Sequence, residues 1–211
     1  MIKNYEQWIH INVDVQNDFC PGGSLAVAEG DRVVEALNSL AARCRKLGGA
    51  VIHTRDWHPE STPHFAKDGG VWPVHCVAGT EGSAFHRDLD VDEGDIVVSK
   101  GTGQEDAFSG FDGHDQNGRS LGEIIASLAR GRTLVSIGGL ATDYCVKATA
   151  LDARGLAERG DLDLDVVVVI DGIRAVNLQL DDGETAVNQM SESGAHILTS
   201  GEVLRLQPKS K

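Results

Sequence analysis

The run Val166-Val167-Val168-Val169-Ile170 is apolar at every position. A strand with one face in water alternates apolar and polar side chains, so an unbroken run suits a strand covered by helices on both sides, as in a parallel sheet. Other apolar runs of strand length lie at Ile9 to Val15, Ala50 to Thr54, Asp95 to Ser99, Thr133 to Ile137 and, more weakly, His196 to Leu198. Helical patterns alternate with them. Val33, Val34, Leu37, Leu40, Ala41, Cys44 and Leu47 recur at helical spacing and stop at Gly48-Gly49, where a left-handed helix end can form. Ser120 with Glu123 forms a capping box for a second helix ending by Gly131. Thr142 can cap a third through about Ala153, and Asp181 or Asp182 a fourth through Met190 to Gly194. The expected fold is α/β: an open, mostly parallel six-stranded sheet with helices on both faces, three-layered and Rossmann-like, in a single domain over 1–211.

Composition removes several functions. No apolar run approaches the roughly 20 residues that span a bilayer, and the stretch from Met1 to Tyr5 lacks a secretory apolar core, so a cytoplasmic protein is expected. A formal net charge of -13 with no Lys/Arg cluster repels phosphate backbones and anionic lipid, which argues against nucleic acid and membrane partners. The four cysteines, at 20, 44, 76 and 145, form no CxxC pair, and a disulfide framework is not expected. Oligomeric state is left open, a homo-oligomer included.

Ligands of open parallel sheets bind beyond the carboxyl ends of the strands. Asp14 closes the first strand, Asp56 and His58 follow the second, Lys100 closes the third, and Gly138 to Cys145 links the fourth to its helix. With Thr142 as cap, Cys145 falls in the first helical turn, where free N–H groups and the helix dipole favour a thiolate. Those N–H groups, with that of Ala141, could hold an oxyanion. A buried structural cysteine is the plainer alternative. Between Asp56 and Cys76, one carboxylate and three imidazoles (Asp56, His58, His64 and His75) are separated by Pro59, Pro63 and Pro73, so they would converge only through tertiary folding. Such a set suits zinc, iron or manganese with positions left open; a solvated His-rich loop is the other reading.

Asp14-Val15-Gln16-Asn17-Asp18-Phe19, Lys100-Gly101 and Ala141-Thr142-Asp143-Tyr144-Cys145-Val146 resemble the landmarks of the isochorismatase-like cysteine hydrolases, over nearly the whole chain. Asp56-Trp57-His58-Pro59, Pro63-His64-Phe65 and Trp72-Pro73-Val74-His75-Cys76 resemble the metal-binding segment of the nicotinamidases within that superfamily. The resemblance implies hydrolysis of nicotinamide, with Asp14, Lys100 and Cys145 as catalytic residues. It implies Ala141 and Cys145 as the oxyanion hole, and Asp56, His58, His64 and His75 as ligands of one divalent metal that orients the pyridine ring. Phe19 and Trp72 are the aromatic residues best placed by these motifs to sandwich that ring, a plain core role being the other reading of each, and a non-proline cis bond is implied at Leu140-Ala141. The rivals are another hydrolase of the superfamily, acting on a different amide, a carbamoyl compound or a vinyl ether, and a metal-binding module without turnover. The stretch from Gly101 to Gly118, with its acidic entry Gln104-Glu105-Asp106, and the extension from Gly155 to Asp165 carry no assigned role; the first could be a lid or surface, the second a subunit contact.

Overall fold

The computed structural model describes residues 2, 4–160 and 162–209; Asp161, part of the extension noted above, and the terminal Met1, Lys3, Ser210 and Lys211 lie outside the described residues. Val166 and Val168 pack on one side of the sheet with Ile124, Ile125, Ala150, Ala153 and Met190, while Val167 and Val169 pack on the other with Leu40, Ala41, Cys44 and Val203. That division explains the unbroken apolar run: both faces of the strand are covered.

The chain runs β1 (Gln7–Val13), α1 (Val33–Lys46), β2 (Ala50–Asp56), β3 (Ile96–Lys100), α2 (Leu121–Leu128), β4 (Thr133–Leu140), α3 (Lys147–Glu158), β5 (Leu164–Arg174), α4 (Asp182–Glu192), β6 (His196–Leu198) and α5 (Ser200–Arg205). The strands form one six-stranded sheet in the order β3-β2-β1-β4-β5-β6, parallel throughout. The expected α/β fold is the fold found. The order reverses beside β1, so the carboxyl ends of β1 and β4 flank the crevice where such sheets bind ligands.

Several boundaries differ from the expectation for local reasons. β1 ends at Val13, because Asp14 takes a left-handed φ of 49° that leaves the ladder. β4 continues past Ile137 through two glycines that have no side chain to signal a strand. β5 continues to Arg174 across a register irregularity opposite Ile137 and Gly139. α1 closes as expected, Gly48 having a φ of 77°. α2 stops at Leu128 because Ala129 is already extended. Asp181 holds the N-cap position of α4 without a side-chain cap bond, and Asp182 instead accepts from the Gln179 amide at 2.7 Å. The Thr199-x-x-Glu202 capping box that opens α5 was visible in the sequence but unused.

The box at Ser120 is closed reciprocally: the Glu123 amide donates to Ser120 Oγ at 3.3 Å and the Ser120 amide to Glu123 Oε2 at 2.8 Å. Ser120→Ala should therefore lower stability by about 1 kcal/mol in urea denaturation. A loss of several kcal/mol would mean that the cap, rather than burial of Ile124 and Ile125, holds α2 in place.

Candidate active site and metal centre

Lys100, at the end of β3, is 1% exposed, and its ammonium is the hub of the rim. Nζ lies 2.9 Å from Asp14 Oδ2, donates to Asp56 Oδ1, donates to the Ala107 carbonyl at 3.0 Å and stands 3.5 Å from Cys145 Sγ. Burial alone would push Lys100 down; the carboxylates of Asp14 and Asp56 outweigh it and hold the ammonium well above its ordinary value. Asp14 is fully buried, and Thr54 Oγ1 donates to its Oδ1 at 2.6 Å. Burial raises its pKa, opposed by Lys100. Carboxylate oxygens of Asp14 and Asp56 and the sulfur of Cys145 all lie within 4.8 Å of one another.

Thr142 does not cap α3. The helix is entered from Ala141 through a π-type turn, Thr142 to Val146, in which the Val146 amide donates to the Ala141 carbonyl at 3.1 Å. Cys145 thus sits inside a wide turn, two residues before α3, rather than at the third position of a regular helix. Nor is its thiol acidified. Burial pushes Cys145 well above its ordinary value, with Lys100 pulling it down and the two carboxylates pushing it further up. Asp14 lies beside the sulfur, placed to take its proton. The Leu140-Ala141 peptide is cis.

Asp56, at the end of β2, joins this cluster to a second one. His58 Nε2 and His75 Nε2 lie 3.5 Å and 3.9 Å from Asp56 Oδ2. On their other edges, His58 Nδ1 meets the Gly101 carbonyl at 3.0 Å and His75 Nδ1 the Pro73 carbonyl at 2.7 Å. Donation from both Nδ1 atoms leaves both Nε2 lone pairs facing the carboxylate, the outer-sphere arrangement of metal-binding histidines. Burial opposes the charged form of Asp56, but Lys100 opposes burial and the carboxyl is held well below its usual range. Burial also pushes His75 down, towards the neutral form a cation needs. Phe65, fully buried, packs edge-on against His58 at 5.6 Å and His75 at 5.5 Å and fixes both rings. One carboxylate and two oriented imidazoles fit a divalent cation with open positions.

His64 does not join them. Its Nε2 meets the Gln104 carbonyl at 3.0 Å and its Nδ1 lies 3.7 Å from Asp106 Oδ2, so both ring nitrogens face the 104–106 segment. It still lines the same pocket, together with Phe19, Trp72, Ala141 and Cys145. Phe19 stands beside His75 at 5.6 Å, whereas Trp72 and Phe108 flank Tyr144 at 5.2 Å and 5.7 Å. Asp106, Ala107 and Phe108 also line this pocket, so the stretch left open between lid and surface is a wall of the site.

Two supports had been quoted only as parts of a motif. The Gln16 side chain donates to the Asp56 carbonyl at 2.8 Å and the Ser83 carbonyl at 2.9 Å, while accepting from the Asp56 amide at 2.8 Å. Asp18 accepts from the Cys76 amide at 2.7 Å, next to His75. Alternate residues of the segment leaving β1 thus supply an acid and steady both halves of the metal cluster, and the spacing Asp14-x-Gln16-x-Asp18 was the available signal. The remaining histidines stay apart: His10 meets Ser136 Oγ at 2.9 Å and burial drives its pKa to about 3, while His53 pairs with Asp95.

The isochorismatase-domain profile matches residues 9–202. The chain belongs to the isochorismatase family. Among its relatives in that family, the nicotinamidase of Escherichia coli K12 is 38% identical over 89% of this chain and 92% of its own length. The crystal structure of the pyrazinamidase of Pyrococcus horikoshii in complex with zinc superposes with a TM-score of 0.80 and 36% identity, over 92% of this chain and 99% of the other. That of PnC1 from L. infantum in complex with nicotinate gives 0.79 at 30% identity, over 95% and 96%. No helix among the described residues is long and apolar enough to cross a membrane.

Proposed function

We propose that this isochorismatase-family chain is a metal-dependent cysteine amidohydrolase that converts nicotinamide to nicotinate and ammonia through a thioester. The observation that carries this reading is that Asp56 belongs to both clusters: one carboxylate ties the thiol, acid and amine to the oriented imidazoles, and Asp56, His58, His75 and Cys145 line a single largely apolar pocket. The zinc in the pyrazinamidase and the nicotinate in the PnC1 structure support it.

Asp56, His58 and His75 would hold the cation, and His64 lines the same pocket. When bound, the cation supplies a positive anchor for a pyridine nitrogen, which orients the ring. Phe19 and Trp72 enclose the ring from the pocket sides. Asp14 takes the Cys145 proton while Lys100 holds the resulting charges together, and the thiolate attacks the amide carbon. The Ala141 and Cys145 amides receive the oxyanion. Asp14 returns the proton to the departing nitrogen, releasing ammonia and leaving the acyl group on sulfur. Water, losing a proton to Asp14, then cleaves the thioester, and that proton restores the thiol.

Ammonia release from nicotinamide, compared with release from an N-carbamoyl compound and repeated after chelation, tests the reading. Nicotinamide should be turned over far faster, chelation should suppress the reaction, and added zinc, iron or manganese should restore it. Fast turnover of the carbamoyl compound alone would sink the substrate assignment.

Gly101 gives the cation site its own test. Its φ is 63°, and a Cβ there would lie 2.4 Å from His58 Cε1, so any side chain displaces the imidazole. Gly101→Ala should weaken zinc binding by roughly 10- to 100-fold in chelator competition. Unchanged zinc affinity in a folded variant would remove His58 from the ligand set.

A further inference from the structure

The strand ends that carry Asp56 and Lys100 have a second face. Successive strand residues point to opposite sides, and Arg55 and Ser99, paired in register, line a different cleft from the catalytic pocket. Arg55 Nε donates to Ser99 Oγ at 2.9 Å, and the guanidinium carbon lies 3.7 Å from the centre of the Trp57 ring. These two contacts fix the guanidinium plane while using one of its five N–H groups. Among the described residues Arg55 makes no ion pair with a carboxylate, whereas Arg45, Arg119 and Arg132 each meet an aspartate. Partial burial without a countercharge also lowers its pKa.

The cleft is polar, and Ser99, Thr102, His114 and Arg119 line it with Arg55. Two of its acids are already neutralised. Asp95 accepts from Arg45 and pairs with His53, and Asp115 accepts twice from Arg119. Glu93 is the remaining acid of the lining. Arg55 is the arginine of the lining left without a carboxylate partner among the described residues.

We propose that this cleft is a second ligand site, taking a small oxyanion, phosphoryl or carboxylate, on the Arg55 guanidinium with Ser99 and His114 beside it. The planar fork of Arg55 matches a pair of anionic oxygens, and the Ser99 hydroxyl, which accepts from Arg55, keeps its own proton to donate. The site is back to back with the catalytic residues, one position away from Asp56 and Lys100 along their strands.

Calorimetric titration of the full chain with inorganic phosphate and separately with acetate, at an ionic strength fixed by sodium chloride, tests this. At least one anion should bind saturably, one per chain; phosphate alone assigns the phosphoryl class and acetate alone the carboxylate class. Arg55→Met should weaken binding by roughly tenfold or more, and Ser99→Ala by a smaller factor. If Arg55→Met does not fold, Arg55→Lys, which keeps the charge and loses the fork, takes its place with the same expectation. Affinity unchanged in the folded Arg55 and Ser99 variants, or weaker than roughly 10 mM for both anions, overturns the proposal.

Discussion

Cys145→Ala is expected to lower ammonia release from nicotinamide by at least about 10⁴-fold, some 5 kcal/mol of transition-state stabilisation, because no other group at the rim can carry the acyl intermediate. Lys100 and Asp14 keep each other in the variant, their contact of 2.9 Å not involving sulfur, so the fold and the binding of nicotinamide should survive. The loss should fall on kcat rather than KM. The other thiols are controls. Cys20 and Cys44 are buried, and burial pushes them up to about 11 and about 12; Cys76 is fully buried with nearby carboxylates raising it further. Alanine at any of these three should leave turnover within a few fold, and only Cys145 should carry the acyl mass when the wild-type reaction is quenched. Turnover by Cys145→Ala within tenfold of wild type would remove the thioester route altogether.

The same residues show how far the sequence could be read. Lys100 and Asp56 were legible as strand ends because apolar runs stop there and the topology sends carboxyl ends to one rim. Val166 to Val169 disclosed two covered faces through the identity of each side chain. The π-type turn at Thr142 to Val146 left no such trace: a hydrogen bond from residue 146 to residue 141 needs no particular side chain, so a regular capped helix was the natural expectation. The surroundings of Cys145 were hidden for a related reason. A helix start argues for a thiolate, but burial beside two carboxylates, which pushes the thiol up, is a tertiary fact. His64 shares that limit, since the carbonyl that meets its ring belongs to Gln104, 40 positions away. Thr54, which donates to Asp14, looked like any β-branched strand residue.

Lys100→Met should cost both the reaction and much of the fold's stability. The ammonium is the only cation placed between the buried carboxylates of Asp14 and Asp56 among the described residues, and both contacts lie at groups almost wholly removed from water. A thioether of similar length fills the space but leaves two buried acids facing each other, a defect that typically costs about 3–5 kcal/mol when one partner of a buried pair is removed. One carboxyl must then take up a proton, and Asp14, already raised by burial and by the charge of Asp56, is the one that yields. This gives the prediction a second arm. Lys100→Met/Asp14→Asn removes the need for that protonation and should recover part of the lost stability in denaturant unfolding, while remaining without turnover because no base is left for Cys145. If the single variant unfolds at the wild-type denaturant midpoint, the pair contributes little net stability. If the double variant is no more stable than the single one, repulsion between Asp14 and Asp56 is not what Lys100 offsets, and its ammonium serves the sulfur alone.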